Sequence, residues 1–136
     1  MDEPQKLPVE SIEPAKPEAV QFVTYDDFKK LDMRVGTIRE VEAVEGADKL
    51  YKCQIDFNEK NSEGMPTLRQ IVSGIREYFP DPNALVGKQV LYVVNLEPRT
   101  IRGVVSSGML MAVDGPDGAP VLMSPEHPVN PGAHIR

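Results

Sequence analysis

The sequence is poor in the residue types from which catalytic and metal sites are usually built. Its 136 residues include one cysteine, Cys53, two histidines, His127 and His134, and no tryptophan. A single cysteine excludes an internal disulfide and a cysteine-rich zinc site. Because no histidine precedes residue 127, most of the chain also lacks the usual base for a nucleophile. We therefore expect a protein with no catalytic residue, no metal and no cofactor.

Long apolar runs and a surplus of positive charge are missing as well. No stretch approaches the ~18 apolar residues of a membrane span, and the N-terminus lacks the basic start and apolar core of a signal peptide. We therefore expect a cytoplasmic protein without a membrane partner. The 21 acidic residues outnumber the 15 basic ones, which gives a net charge of -6. Generic polyanion binders are usually basic, so a nucleic-acid site here must come from a local patch.

Composition divides the chain into two parts. The first 20 residues contain four prolines, five acidic residues and no aromatic residue. A segment of this kind cannot bury enough apolar surface to offset the entropy lost on ordering. We expect residues 1–21 to form a disordered linker rich in proline and glutamate, and residues 22–136 to form one folded domain. The linker suggests that this domain is cut from, or works beside, a larger protein.

The remaining residues have the pattern of a small β-barrel. Thr24 is predicted to cap a short helix over residues 25–31. Short strands separated by turn residues favour a barrel, and a helix between the third and fourth strands fits the OB-fold. We therefore expect an all-β protein, an OB-fold five-stranded Greek-key barrel with short helices and a C-terminal extension. The predicted strands are 33–44 (with a bend at Gly36), 51–57, 68–73, 89–96, 109–113 and 121–123, and the second helix is 75–79.

Positive charge is concentrated in the second half of the predicted barrel. Residues 65–113 carry five basic residues against three acidic ones, whereas the segments on either side are net acidic. Arg99 and Arg102 lie between two predicted strands, where an OB barrel has one of its ligand loops. We predict phosphate contacts there, and a solvated loop without a ligand is the alternative. Because no tryptophan is present, stacking of bases is not expected; a folded RNA bound by shape needs only placed cations and donors.

Five short motifs, in a fixed order, resemble the tRNA-binding domain family. The resemblance covers about residues 22–136 and is closest to the C-terminal domain of bacterial methionyl-tRNA synthetases. Each motif alone is weak, whereas five in the correct order are specific. The motifs are Asp32-Met33-Arg34-Val35-Gly36-Thr37-Ile38, Gly46-Ala47-Asp48-Lys49-Leu50, Gln70-Ile71-Val72-Ser73-Gly74-Ile75, Val94-Asn95-Leu96-Glu97-Pro98-Arg99 and Ser107-Gly108-Met109-Leu110-Met111.

The resemblance implies a function, a set of partners and a set of site residues. It implies an OB-fold that binds tRNA by shape and backbone and forms a homodimer with the help of its C-terminal extension. Neither synthetase ATP-site signature, His-Ile-Gly-His or Lys-Met-Ser-Lys-Ser, occurs in the chain. Aminoacylation would therefore belong to a catalytic body of methionyl-tRNA synthetase, acting in cis or in trans. By position, the tRNA-binding residues are Lys49, Arg69, Ser73, Asn95, Arg99, Arg102, Ser107 and Met109.

Several alternatives stay open at this stage. Ser73 and Asn95 could simply tie loops together, and Met109 could belong to the core. The chain could also be a free-standing tRNA-binding protein, or a peptide-binding protein like a bacterial secretion chaperone that shares the fold. A dimerisation module that has lost RNA binding is a further reading, which the net charge of -6 favours.

Overall fold

The computed structural model of the chain describes residues 20–136. The predicted linker 1–21 therefore lies, except for its last two residues, outside the described residues. Residues 20–30 contain one helix, α1, Tyr25–Lys29, which ends two residues earlier than predicted and buries no side chain. Its start is as predicted, because the Thr24 hydroxyl accepts a hydrogen bond of 3.0 Å from the Asp27 amide.

Residues 31–136 contain nine strands and two short 3-10 helices. The strands are β1 Met33–Ala43, β2 Tyr51–Lys60, β3 Pro66–Ser73, β4 Gln89–Val93, β5 Arg99–Ile101, β6 Val104–Ser106, β7 Met109–Leu110, β8 Ala112–Asp114 and β9 Pro120–Leu122. Five of them form an antiparallel sheet in the order β3-β2-β1-β4-β7, and two further hairpins pair β5 with β6 and β8 with β9. The 3-10 helices are Arg76–Tyr78, where a helix was predicted, and Pro82–Ala84.

The main core lies on one face of this curled sheet. In β2 the odd-numbered residues from Tyr51 to Phe57 are buried, which confirms the alternation predicted from the sequence. Cys53 belongs to this core, as predicted for a structural thiol. The segment after β6 runs beside β3, since the Ser107 amide donates to the Gln70 carbonyl at 2.9 Å. Because β7 then pairs with β4, the sheet curls into the OB-fold-like barrel that was predicted.

Gly36 is needed for a reason that the sequence did not show. A Cβ atom on Gly36 would collide with the side chains of Ile55 and Phe57, so the glycine lets the core approach the backbone closely. The register of β1 against β2 shifts between Ile38 and Glu40, two to four residues beyond Gly36. That Gly36 also permits a bend stays a prediction.

Two predictions for the second half of the barrel need correction. The expected loop between the fourth and fifth strands contains the β5–β6 hairpin, whose turn residues Arg102 and Gly103 both have positive φ, 53° and 80°. Such a turn matches the twist of a two-residue hairpin connection. The expected buried strand 109–113 is instead the two-residue β7 followed by β8, which is exposed along its whole length. Residues 112–114 are exposed because they leave the barrel to pair with β9.

The C-terminal extension runs back along the first strand. Residues 132–135 form three backbone hydrogen bonds with Met33 and Val35 of β1, at 2.7–2.9 Å. The Gly132 amide donates to the Val35 carbonyl, and the Val35 amide donates to the Ala133 carbonyl. The Ile135 amide donates to the Met33 carbonyl. This part of β1 is not paired with β2, whose register begins at Thr37. The extension thus completes the barrel wall. Within residues 20–136, no helix is long and apolar enough to cross a membrane.

Candidate nucleic-acid interface

A cleft of about 290 Å³ lies between the end of β3 and the β5–β6 hairpin. Three of the predicted site residues line it, namely Ser73, Arg99 and Met109. Ser73 is buried, whereas Arg99 and Met109 are exposed. Met109 is therefore not a core residue. Most of the other lining residues are apolar: Val72, Ile75, Leu96, Ile101 and Leu110.

A second, smaller apolar cluster fixes the hairpin beside this cleft. Ile101 and Val104, one from each hairpin strand, pack against the buried residues Val44, Ala47 and Val72. The loop between β1 and β2 contributes Val44 and Ala47 to this cluster and also carries Lys49. The packing therefore places the Lys49 loop and the hairpin, with Arg102 at its turn, on the same side of the barrel.

Arg76 is a further cation at this position, and it was not assigned a role from the sequence. Its guanidinium donates to the Ala47 carbonyl at 3.0 Å, and its amide donates to the Lys49 carbonyl at 3.2 Å. Both bonds hold the loop that carries Lys49. The sequence did contain a signal, because Arg76 was one of the five bases in the net-basic segment and follows the Ser73-Gly74-Ile75 motif directly.

The other three predicted site residues lie elsewhere. Arg69 and Ser107 line a separate groove of about 530 Å³, which shares only the residue Leu96 with the cleft. The Arg69 guanidinium forms two hydrogen bonds with Glu59, at 3.0 and 2.7 Å, and also donates to the Val94 and Ser107 carbonyls at 2.6 and 3.1 Å. Its donors are thus directed into the protein.

Asn95 connects the first strand to the segment that precedes the hairpin. Its side-chain oxygen accepts a hydrogen bond of 2.8 Å from the Asp32 amide, and the neighbouring Val94 amide donates to the Asp32 carbonyl at 2.8 Å. These bonds join two of the five sequence motifs. The contact explains why a side-chain amide follows β4 at this point.

Three cations near the cleft form no ion pair within residues 20–136, whereas Arg34 and Arg69 in the barrel wall each pair with a carboxylate. These three cations are Lys49, Arg99 and Arg102. By contrast, hydrogen bonding from Arg34 lowers the pKa of Asp32 below its ordinary value, and hydrogen bonding from Arg69 does the same for the pKa of Glu59. Glu97, which also lines the cleft, likewise forms no ion pair within residues 20–136. The three unpaired cations therefore stand against one unpaired carboxylate, and unpaired cations suit a phosphate backbone.

Residues 20–136 provide few side chains suited to metal binding or nucleophilic catalysis. The described residues, 20–136, hold no group of three or more side chains that could bind a metal. Burial raises the pKa of the Cys53 thiol to about 11, so this thiol is a poor nucleophile at neutral pH. His127 and His134 are both exposed, in the C-terminal extension. What the site offers is a set of cations and donors around an apolar cleft.

Comparisons with known proteins agree with this geometry. The sequence profile of the tRNA-binding domain family matches residues 33–134. A methionine–tRNA ligase of Bacteroides fragilis is 42% identical over 114 residues, which cover 84% of this chain but 16% of that protein. A MetRS-related protein from Pyrococcus horikoshii superimposes with a TM-score of 0.74 at 35% identity, over 86% of this chain and all of the other.

A chaperone, CsaA of Bacillus anthracis, superimposes with a TM-score of 0.70 at 26% identity, over 85% of this chain and all of the other. The chain thus spans about a sixth of the ligase that it matches and the whole of the two solved chains. The family profile covers three quarters of the chain, and the ligase identity is well above the level at which only a fold is shared. The chain therefore belongs to the tRNA-binding domain family, and it is similar to the non-catalytic C-terminal region of methionyl-tRNA synthetases.

Proposed function

We propose that this chain is the tRNA-binding module of a methionyl-tRNA synthetase, and that it binds tRNA by shape and backbone. The proposal includes a cytoplasmic location and a catalytic body acting in cis or in trans. One observation carries it: Lys49, which is distant in sequence from Arg99 and Arg102, comes to the same side of the barrel as these two, and none of the three has a carboxylate partner within residues 20–136. Cations without internal partners can neutralise phosphates, which position a nucleic acid without reading its sequence.

The salt dependence of tRNA binding tests this proposal. Each lost phosphate contact reduces the slope of log K against log salt by ~0.7–0.9. We expect the double variant Arg99→Ala/Arg102→Ala to bind tRNA more weakly, with a slope reduced by about 1.4–1.8. The control is Lys88→Ala/Arg136→Ala, which removes the same charge from two other exposed positions. Equal slopes for the two double variants would refute the placement of the site.

Homodimerisation is the second part of the proposal, and the β8–β9 hairpin supports it. Val113 and Val121 are cross-strand partners on this hairpin, and each is 52% exposed. Neighbouring exposed valines on a short hairpin suit a contact between two copies related by a twofold axis. We expect Val121→Lys to shift the protein toward monomer in sedimentation equilibrium, with Val105→Lys, at an exposed valine of β6, as the control.

Binding of an unfolded peptide is a second candidate function. The apolar lining of the cleft and the likeness to the CsaA chaperone favour it. A direct competition separates the two functions: a labelled tRNA is titrated with an unstructured apolar peptide at fixed salt. Displacement of tRNA by the peptide at equal or lower concentration than by unlabelled tRNA would favour the peptide function.

A further inference from the structure

The cleft contains a hydroxyl that the protein itself does not use. Ser73 as a residue is only 8% exposed, and no hydrogen bond of its hydroxyl is found among residues 20–136; because no buried side-chain polar atom of these residues lacks a partner, this oxygen is open to the cleft. The neighbouring Ser106 shows the usual situation: its hydroxyl accepts from the Val72 amide at 2.9 Å and lies 3.2 Å from the Gly108 carbonyl. Because the Ser73 hydroxyl lines the cleft and has no partner within residues 20–136, it is available to a ligand.

A backbone donor lies directly beside this hydroxyl. The Gly74 amide has no backbone partner among the described residues, and Gly74 lines the same cleft. A Cβ atom there would come no closer than 4.0 Å to the Lys49 carbonyl, so the position is open. At the end of β3, the Gly74 amide can donate a hydrogen bond, and the Ser73 hydroxyl can both donate and accept one. A flat ligand with polar atoms along one edge can use both.

The walls of the cleft are mostly apolar, and its charged lining residues are Arg99 and Glu97. Leu96 and Met109 are 42% and 50% exposed at the cleft, and Ile75 is buried beneath it. The volume of about 290 Å³ is at the lower end of the range for small-molecule sites. Arg99 lines the cleft and forms no ion pair within residues 20–136. An apolar slot with a polar edge and an adjacent guanidinium fits one nucleotide.

We propose that the cleft receives one unpaired base of the bound RNA. The base packs between Leu96 and Met109, its polar edge binds Ser73 and Gly74, and Arg99 binds its phosphate. This inference rests on the proposed tRNA function and deepens it, because shape and backbone alone require no base pocket. The three cations Lys49, Arg99 and Arg102 outnumber Glu97, the one carboxylate that lines the cleft, and this favours a nucleotide over an apolar peptide.

Paired small ligands test the base contact directly. Amide NMR signals of the full chain are followed during titration with adenosine or cytidine monophosphate, and separately with ribose 5-phosphate, which has the sugar and phosphate but no base. We expect the nucleotide to shift the Gly74, Ile75 and Met109 signals saturably, with a Kd at least about fivefold below that of ribose 5-phosphate. Equal affinities, or no shift at these residues, would overturn the inference.

Two variants locate the contact. Ser73→Ala removes a hydroxyl without an internal partner, and Met109→Ala removes one wall, so neither is expected to disturb the fold. Each should reduce the preference for the nucleotide by about threefold or more, while Ser124→Ala, at an exposed serine, leaves it unchanged. Arg99→Ala should weaken both ligands equally. A preference that survives in both Ser73→Ala and Met109→Ala would refute the assignment.

The tRNA measurement separates failure of this inference from failure of the proposed function. If wild-type protein binds tRNA and Ser73→Ala binds it equally well, the base pocket is wrong while the phosphate surface stands. If wild-type protein binds no tRNA, the proposed function fails whatever the small ligands do. An apolar peptide that shifts the same three amides with a lower Kd than either nucleotide would assign the cleft to peptide and overturn the inference.

Discussion

Arg69 offers the sharpest test of how the fold supports the site. Arg69 is among the predicted tRNA-binding residues, but its guanidinium holds Glu59 and the Val94 and Ser107 carbonyls. Val94 precedes the β5–β6 hairpin in the chain, and Ser107 follows it. We therefore predict that Arg69→Met weakens tRNA binding by disturbing the cleft, with the salt slope unchanged, because no phosphate contact is lost.

The expected loss of stability follows from the same bonds. A hydrogen bond from a charged group contributes ~1.5–3 kcal/mol, and the partly exposed ion pair with Glu59 adds ~0–1 kcal/mol. Allowing for relaxation and for the exposed quarter of the side chain, we expect Arg69→Met to lower the free energy of unfolding by about 2–4 kcal/mol in urea titrations. The control Arg39→Met loses one ion pair of 3.1 Å from a half-exposed side chain, which should cost less than about 1 kcal/mol.

Acid sensitivity provides an independent readout. Hydrogen bonding from Arg69 lowers the pKa of Glu59 in the folded state. Its contribution to stability is therefore fully present above the unfolded pKa of about 4.3 and is lost as the pH falls through the folded value. Arg69→Met should lose less stability than wild type between pH 5 and pH 3. A reduced salt slope, or a stability loss no greater than that of Arg39→Met, would refute the reasoning.

Three further predictions concern the barrel itself. Gly36→Ala should lower the free energy of unfolding by at least about 1–3 kcal/mol, measured in urea, because the added methyl collides with Ile55 and Phe57; wild-type stability would contradict the close approach. Cys53 should resist a thiol reagent at pH 8 in the native protein and react once urea unfolds it, since burial raises its pKa to about 11; rapid native reaction would contradict its burial. Deleting residues 130–136 should lower the thermal midpoint, because three backbone hydrogen bonds to β1 are lost, and an unchanged midpoint would show that the extension does not stabilise the barrel.

The sequence predicted the parts of the fold that side-chain patterns encode. The alternation from Tyr51 to Phe57 identified β2, and the hydroxyl of Thr24 identified the start of α1. The β5–β6 hairpin was missed because its strands have three residues each, too few for a period to show, and because its turn is Arg102-Gly103 rather than a common turn pair such as Asn-Gly.

The candidate site was predictable to a similar extent and for related reasons. The motifs located Ser73, Arg99 and Met109, which do line one cleft. No pattern could show that Arg69 faces two carbonyl groups, because backbone acceptors are present at every position of a sequence and only the fold selects among them. The role of Arg76 in holding the Lys49 loop was hidden for the same reason.

The pairing between β1 and the C-terminal extension has a consequence for the order of folding. Val35 and Ala133 are hydrogen-bonded but lie roughly 100 residues apart in the chain, and contacts of such long range slow folding because a large loop must close first. During synthesis, the hydrogen-bonding groups of Met33 and Val35 stay open until almost all of the domain has left the ribosome. An exposed strand edge of this kind can pair with other chains. Newly made domains should therefore be most prone to aggregation just before the last few residues emerge, and a refolding assay on chains ending at residue 129 should show this as faster aggregation than for the full chain.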